Sequence, residues 1–132
     1  MFYLAGAPIT WKSKLQSTVA LSSCEAEYMA LTAAAQEAMY LRKLSLDFGL
    51  IIDKPTIIYE DNKSAIMMSN NPSMHKASKH IDLKYHFVRE AIEANIIKLE
   101  YVETKKQKAD GFTKALAISK FRAFKDMLFE SN

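Results

Sequence analysis

The sequence predicts a mixed α/β layer fold with helices packed on a sheet, and three observations carry that prediction. Short segments near the N-terminus and around residue 100 alternate apolar and polar side chains, as half-buried strands do. Longer stretches beginning near Ser22 and His80 repeat apolar residues at helical spacing. The patterned segments follow one another in the order β-β-α-β-α-α-β-α-α, a layered α/β arrangement.

Each element has its own justification. In "FYLAGAPITWKSK" two short apolar segments flank Gly6-Ala7-Pro8, and Ile9 and Trp11 alternate with Thr10 and Lys12, which predicts a hairpin. Trp11 is expected to pack in the core. Ser22, followed three residues later by Glu25, makes a capping box ahead of a long helix. That helix should run to about Phe48, with Leu31, Ala34, Ala38 and Leu41 as its apolar stripe, until Gly49 stops it. "PTIIYEDN" is a β-rich run that turns polar abruptly, as a strand does when it emerges at its carboxyl end. "NKSAIMMS" predicts a short helix closed by Asn70-Asn71-Pro72. "HIDLKYHFVREAIEAN" places Ile81, Tyr85, Val88 and Ile92 on one helical face and ends at Asn95. "IIKLEYV" puts Ile97, Leu99 and Tyr101 opposite Lys98 and Glu100. Helical stretches are expected around 107–116 and 119–130.

Composition narrows the class. The 132 residues are 49% hydrophobic and 25% charged with only 3 Gly and 3 Pro, and no linker or repeat divides them, so one domain over 1–132 is expected. No apolar run approaches the ~20 residues of a membrane span, and the N-terminus has no signal-peptide pattern. One cysteine, Cys24, makes no internal disulfide and suits a reducing compartment. An intracellular protein without membrane contact is therefore expected. A net charge of +3 is compatible with nucleic-acid contact without requiring it.

Three carboxylates stand in unusual places. Glu25 is accounted for by the capping box, but Glu27 lies four residues before Leu31, in line with the apolar stripe. An inward carboxylate costs several kcal/mol unless it is paired or binds metal; otherwise Glu27 is a first-turn acid favoured by the helix dipole. Asp61 sits at the carboxyl end of a strand, where α/β sheets place ligands, or else caps the helix after it. Asp110 lies among Lys105, Lys106, Lys108 and Lys114, either as a ligand or as half of a surface ion pair. Hard divalent cations take oxygen ligands, and a two-metal phosphodiester site gathers carboxylates from several elements.

Three stretches, "WKSKLQSTVALSSCEAEYMAL", "IYEDNKSAIMMSNNPSMHKASKHIDLKYHFVREAI" and "LEYVETKKQKADGFTKAL", closely resemble the ribonuclease H domain of copia-type retrotransposon Pol polyproteins, from about Gly6 to Phe121. The resemblance implies a ribonuclease H-like mixed sheet flanked by helices. It also implies cleavage of the RNA strand of RNA–DNA hybrids during reverse transcription, with two Mg²⁺ (or Mn²⁺) ions held by four acids. Carried over by motif, Glu27 of "EAEYMAL", Asp61 of "YEDN" and Asp110 of "KADGFTK" are the catalytic and metal-binding residues, and they are expected to converge with at least one pKa raised by mutual repulsion. Lys12, Lys105, Lys106 and Lys108 would contact nucleic-acid phosphates, if they are not simply a solvated surface, and Trp11 would approach the hybrid beside Lys12 if it does not pack in the core as expected. Partners implied are the hybrid and the reverse transcriptase domain of the same polyprotein, and the setting is a cytoplasmic retrotransposon particle with nuclear access.

The chain departs from the family in places. Members begin with a strand carrying an Asp, and this sequence has no Asp or Glu before Glu25, so an N-terminally truncated domain is expected that lacks that strand and is impaired by itself. Loss of a central strand would also bare a sheet edge and invite self-association. Gly111 stands where an apolar residue is usual, and Cys24 where a hydroxyl is. The alternative reading is a noncatalytic domesticated or degenerate remnant that binds nucleic acid or protein. His75, His80 and His86 with Cys24 match no standard zinc spacing; His80, Asp82 and His86 are expected to pack and hydrogen-bond, with His86 a lesser catalytic candidate.

Overall fold

A computed structural model describes residues 1–16, 19–20, 22–70, 79–113 and 115–129. The expectations for Asn71-Pro72, His75, Lys114 and the side chains of His80, Ile81 and Asp82 fall outside that description. The fold is mixed α/β, as expected, and it divides into two compact units, residues 20–102 and residues 1–19 with 103–132.

The first unit is organised by helix α1, Ser23–Asp47. Ser22 caps it in extended conformation, its Oγ accepting from the Glu25 N–H at 3.1 Å. At the other end Gly49 takes a left-handed φ of 75°. Its N–H bonds the Leu46 carbonyl and that of Leu50 bonds the Ser45 carbonyl, both at 2.9 Å. This paired closure needs a left-handed residue, and glycine adopts that conformation without cost. The buried stripe is Tyr28, Leu31, Thr32, Ala35 and Ala38. Ala34 and Leu41, expected at its centre, sit on its flank.

Strand β3, Thr56–Glu60, pairs in parallel with β4, Ile97–Tyr101. Helices α2, Lys63–Asn70, and α3, Lys79–Glu93, lie between them in the chain. Asn95 closes α3 with a φ of 55°. Tyr28 and Tyr85 join α1 to α3 with ring centroids 4.1 Å apart, and Val88, Ala91 and Ile97 complete the core. Arg42 of α1 holds the approach to β3 by donating to the carbonyls of Lys54 at 2.7 Å and Ile52 at 3.0 Å. Lys98 and Glu100 share the outer side of β4 as an ion pair at 2.8 Å.

In the second unit β1, Phe2–Leu4, and β2, Ala7–Thr10, form the expected antiparallel hairpin. Ala5 and Gly6 turn it with φ of 50° and 80°. The helix expected at 107–116 is instead two short 3₁₀ turns, Thr104–Lys106 and Lys108–Phe112, and α4 follows over Ile118–Phe129. Here Asp110 and Thr113 donate backbone N–H groups three residues back, to Gln107 and Asp110, the tighter winding that short connectors adopt. Gly111 has its own reason. A Cβ there would overlap the ring of Phe124, which already meets Phe112 edge-on at 5.2 Å. Trp11 is not in a core: it is 62% exposed and lies parallel to Phe112, with ring centroids 6.5 Å apart. Among the described residues the strands form two two-stranded sheets rather than the single mixed sheet the resemblance implied.

Candidate functional site

The site begins with the alternation of β3. Period two puts Ile58 and Glu60 on the buried side and Ile57 and Tyr59 on the exposed side. Glu60 is 6% exposed, and its carbonyl continues the strand ladder by accepting from the Val102 N–H at 3.1 Å. The chain then turns. The backbone N–H of Asn62 donates to Glu60 Oε1 at 2.9 Å, while Asn62 Oδ1 accepts from Ser64 and Ala65 at 3.0 and 3.1 Å. Asn62 is therefore the cap of α2, and the capping role considered for Asp61 belongs to its neighbour.

The first turns of α1 come alongside. Cys24 donates its thiol to the Met68 thioether of α2 at 3.2 Å, pinning the start of α1 against the helix that leads away from Asp61. Glu27, one turn further on, reaches the end of β3. Among the described residues Glu27, Glu60 and Asp61 form a group whose ligand oxygens all lie within 4.8 Å of one another. Burial pushes the Glu60 carboxyl up to about 7; the nearby Glu27 and Asp61 charges add to the rise, and bonds from the Asn62 and Asp61 backbone oppose it. The Cys24 thiol is also raised, first by burial and then by Glu60 and Glu27.

The structure thus brings together two of the three acids that the motifs single out, Glu27 and Asp61, and adds Glu60. Glu60 was missed because "YEDN" draws attention to its Asp; the signal was present in the alternation Thr56, Ile58, Glu60, which aligns Glu60 with the buried side. Asp110 is on the 3₁₀ turn Lys108–Phe112, in the other unit. Lys12, Lys105, Lys106 and Lys108 are in that unit too. Lys12, Lys105 and Lys106 are exposed, and Lys108 Nζ stands 4.8 Å over the Tyr3 ring. His86 is exposed.

The donor set suits a hard dication. An octahedral Mg²⁺ bound at about 2.0–2.1 Å sets adjacent ligand oxygens about 3 Å apart and opposite ones about 4 Å apart, so the three side chains would draw together to share one ion.

These features define a mixed α/β chain with a buried-edge carboxylate cluster at a strand's carboxyl end. The chain is homologous to a segment of retrovirus-related Pol polyproteins from plant transposons. It is 38% identical over 128 residues to that of transposon TNT 1-94 from Nicotiana tabacum, covering 97% of this chain and 10% of that protein. Those of transposons RE1 and RE2 from Arabidopsis thaliana are 36% and 37% identical over 122 residues, covering 92% of this chain and 8% of each. The chain thus spans about a tenth of the length of these relatives. No protein-family model matches the chain, and no solved structure matches it significantly.

Proposed function

We propose that the chain is the ribonuclease H region of a copia-type retrotransposon Pol polyprotein, acting on the RNA strand of RNA–DNA hybrids during reverse transcription. The observation that carries this reading is the gathering of Glu27, Glu60 and Asp61 within 4.8 Å at the end of β3. The motifs around Glu27, Asp61 and Asp110 support it, as does homology over nearly the whole chain to transposon Pol polyproteins. In this reading Glu27, Glu60 and Asp61 hold divalent ions, with Asp110 the further acid assigned by its motif. Bound Mg²⁺ or Mn²⁺ supplies Lewis-acid activation of a water and charge stabilisation at the leaving oxygen.

The chain's own residues set the conditions. The Asn62 and Asp61 backbone N–H groups fix the Glu60 carboxyl, so one ligand is oriented before any ion arrives. A cation must displace the proton that Glu60 holds near neutral pH, which couples binding to pH. The lysines at 12, 105, 106 and 108 face the phosphate backbone, and the reverse transcriptase of the same polyprotein is the natural neighbour in a cytoplasmic particle.

The family's leading Asp has no counterpart among residues 1–24, so the chain by itself is expected to cleave slowly. The test is a labelled RNA–DNA hybrid assayed with the chain alone, with an Asp-bearing strand joined ahead of Met1, and with Asp61→Asn in that longer form. Cleavage in the longer form, lost by several hundred-fold on Asp61→Asn, is expected, since a few kcal/mol of transition-state stabilisation is a factor of hundreds or more. Cleavage that survives Asp61→Asn would overturn the site, and inactivity of every form would favour a noncatalytic binding remnant.

A further inference from the structure

We propose that Trp11 is a stacking platform for an unpaired base, so that the unit formed by residues 1–19 and 103–132 engages single-stranded nucleic acid. The proposal deepens the nucleic-acid side of the reading above and rests on it, but it concerns a surface other than the acid cluster.

Three features of this unit carry it. Trp11 leaves 62% of its surface in solvent although it is the largest apolar side chain in the sequence. Its ring is not loose: it lies within 10° of parallel to Phe112, whose own ring is braced edge-on by Phe124. An indole that lies parallel to one ring, itself braced by a second, and is still open on its other side can accept a further planar group. The charge around it selects what that group is attached to. The unit carries nine Lys and Arg against four Asp and Glu, while residues 20–102 carry nine against eleven, so the chain's net positive charge resides here. Lys12 adjoins Trp11, and Lys108 stands over Tyr3 of the same hairpin. Cationic side chains beside an exposed ring are what a polyanion with free bases requires, because every base offers a π-face and every linkage a phosphate. A duplex stacks its bases on one another and leaves only its two end pairs open.

Trp11 is the only tryptophan, so its emission reports this surface directly. The full chain, in chelator so that no cleavage enters, is titrated with a thymidylate oligomer of about eight nucleotides, an abasic phosphodiester of equal length, and a blunt duplex. Thymidylate should quench the emission, the abasic chain should not, and the duplex, open only at its end pairs, should quench far less; by the anisotropy of a fluorescein-labelled thymidylate oligomer, which needs no tryptophan, Trp11→Ala should weaken binding about ten-fold while Trp11→Phe keeps most of it. Equal quenching by the abasic chain, or unchanged affinity in a Trp11→Ala protein that keeps its circular dichroism, would overturn the proposal. So would an emission shift that follows protein concentration without oligonucleotide, which would mark the ring as a contact between copies. Because no step needs metal or turnover, failure here leaves the carboxylate reading standing, and failure of cleavage leaves this one.

Discussion

A carboxyl group with a pKa of about 7 holds its proton about half the time at neutral pH, and Glu60 is such a group. Its ordinary value in the unfolded chain is 4.5. Between those values the folded chain binds more protons at this position than the unfolded chain does, so stability falls as pH rises through that window and levels off above it. The loss is on the order of 2–3 kcal/mol, less than the full shift implies because the carboxyl keeps some access to water. Glu60→Gln is therefore expected to be more stable than the parent at pH 8 in chelator by about that amount, with most of the difference gone at pH 5. Urea unfolding at the two pH values measures it, and a Gln variant no more stable at pH 8 would contradict the burial argument. Added Mg²⁺ should stabilise the parent and not the variant, since only an ionised carboxylate rewards the ion. Cys24 shares this environment. Its thiol is raised by burial and by Glu60 and Glu27, so its alkylation should be slow at pH 7 and should quicken in Glu60→Gln, where one of the opposing charges is gone.

Elements fail or hold according to how their special residues are placed. Helix propensity alone predicts that Gly111→Ala would stabilise by about 1 kcal/mol. The added methyl instead meets the Phe124 ring, which Phe112 keeps from moving aside. A loss of roughly 1–3 kcal/mol is expected, as for overpacking elsewhere, and the sign of the change in urea midpoint decides between the two effects. In α2, Asn62→Ala removes the cap and should lower helix stability by about 1 kcal/mol, while Asn62→Asp retains it; amide exchange of Ser64 and Ala65 is the readout. The same local chemistry explains what the sequence made legible. Ser22 with Glu25, Gly49, and Asn95 marked helix ends that the structure has, and alternation located the hairpin and β4. The 3₁₀ winding at 104–112 left no mark in the local apolar spacing, and the close approach of Phe124 to Gly111 is a tertiary fact. The exposure of Trp11 was hidden for a related reason, since its ring is satisfied by Phe112, about a hundred residues away. At the acid cluster, Glu27 betrayed itself by its register in α1, whereas Glu60 was passed over beside a more conspicuous Asp, although it shares the buried side of β3 with Ile58.

The whole molecule divides its labour unevenly between two units, and its stability should divide the same way. Every buried core residue among those described, from Tyr28 to Ile97, lies in the contiguous unit of residues 20–102. Among the described residues of the other unit none is fully buried: hairpin and α4 are held by ring contacts, by the Tyr3 hydroxyl bond to the Leu128 carbonyl at 2.9 Å, and by half-exposed apolar side chains such as Phe121 and Phe129. Burial of apolar area is the main favourable term in folding, so this unit should open at a lower free energy than the first and form its own cooperative step. Two signals separate the steps. Trp11 reports only on the unit of 1–19 and 103–132, and helical circular dichroism is dominated by α1 and α3, with 25 and 15 residues, in the other. In a urea titration the tryptophan emission is therefore expected to change first, and amides of β2 and α4 to exchange faster than those of α1 and β3. Emission and ellipticity that change together, with uniform amide protection, would mean instead that the weakly buried unit draws its stability from the rest of the chain, and two-state bookkeeping would apply to all 132 residues at once.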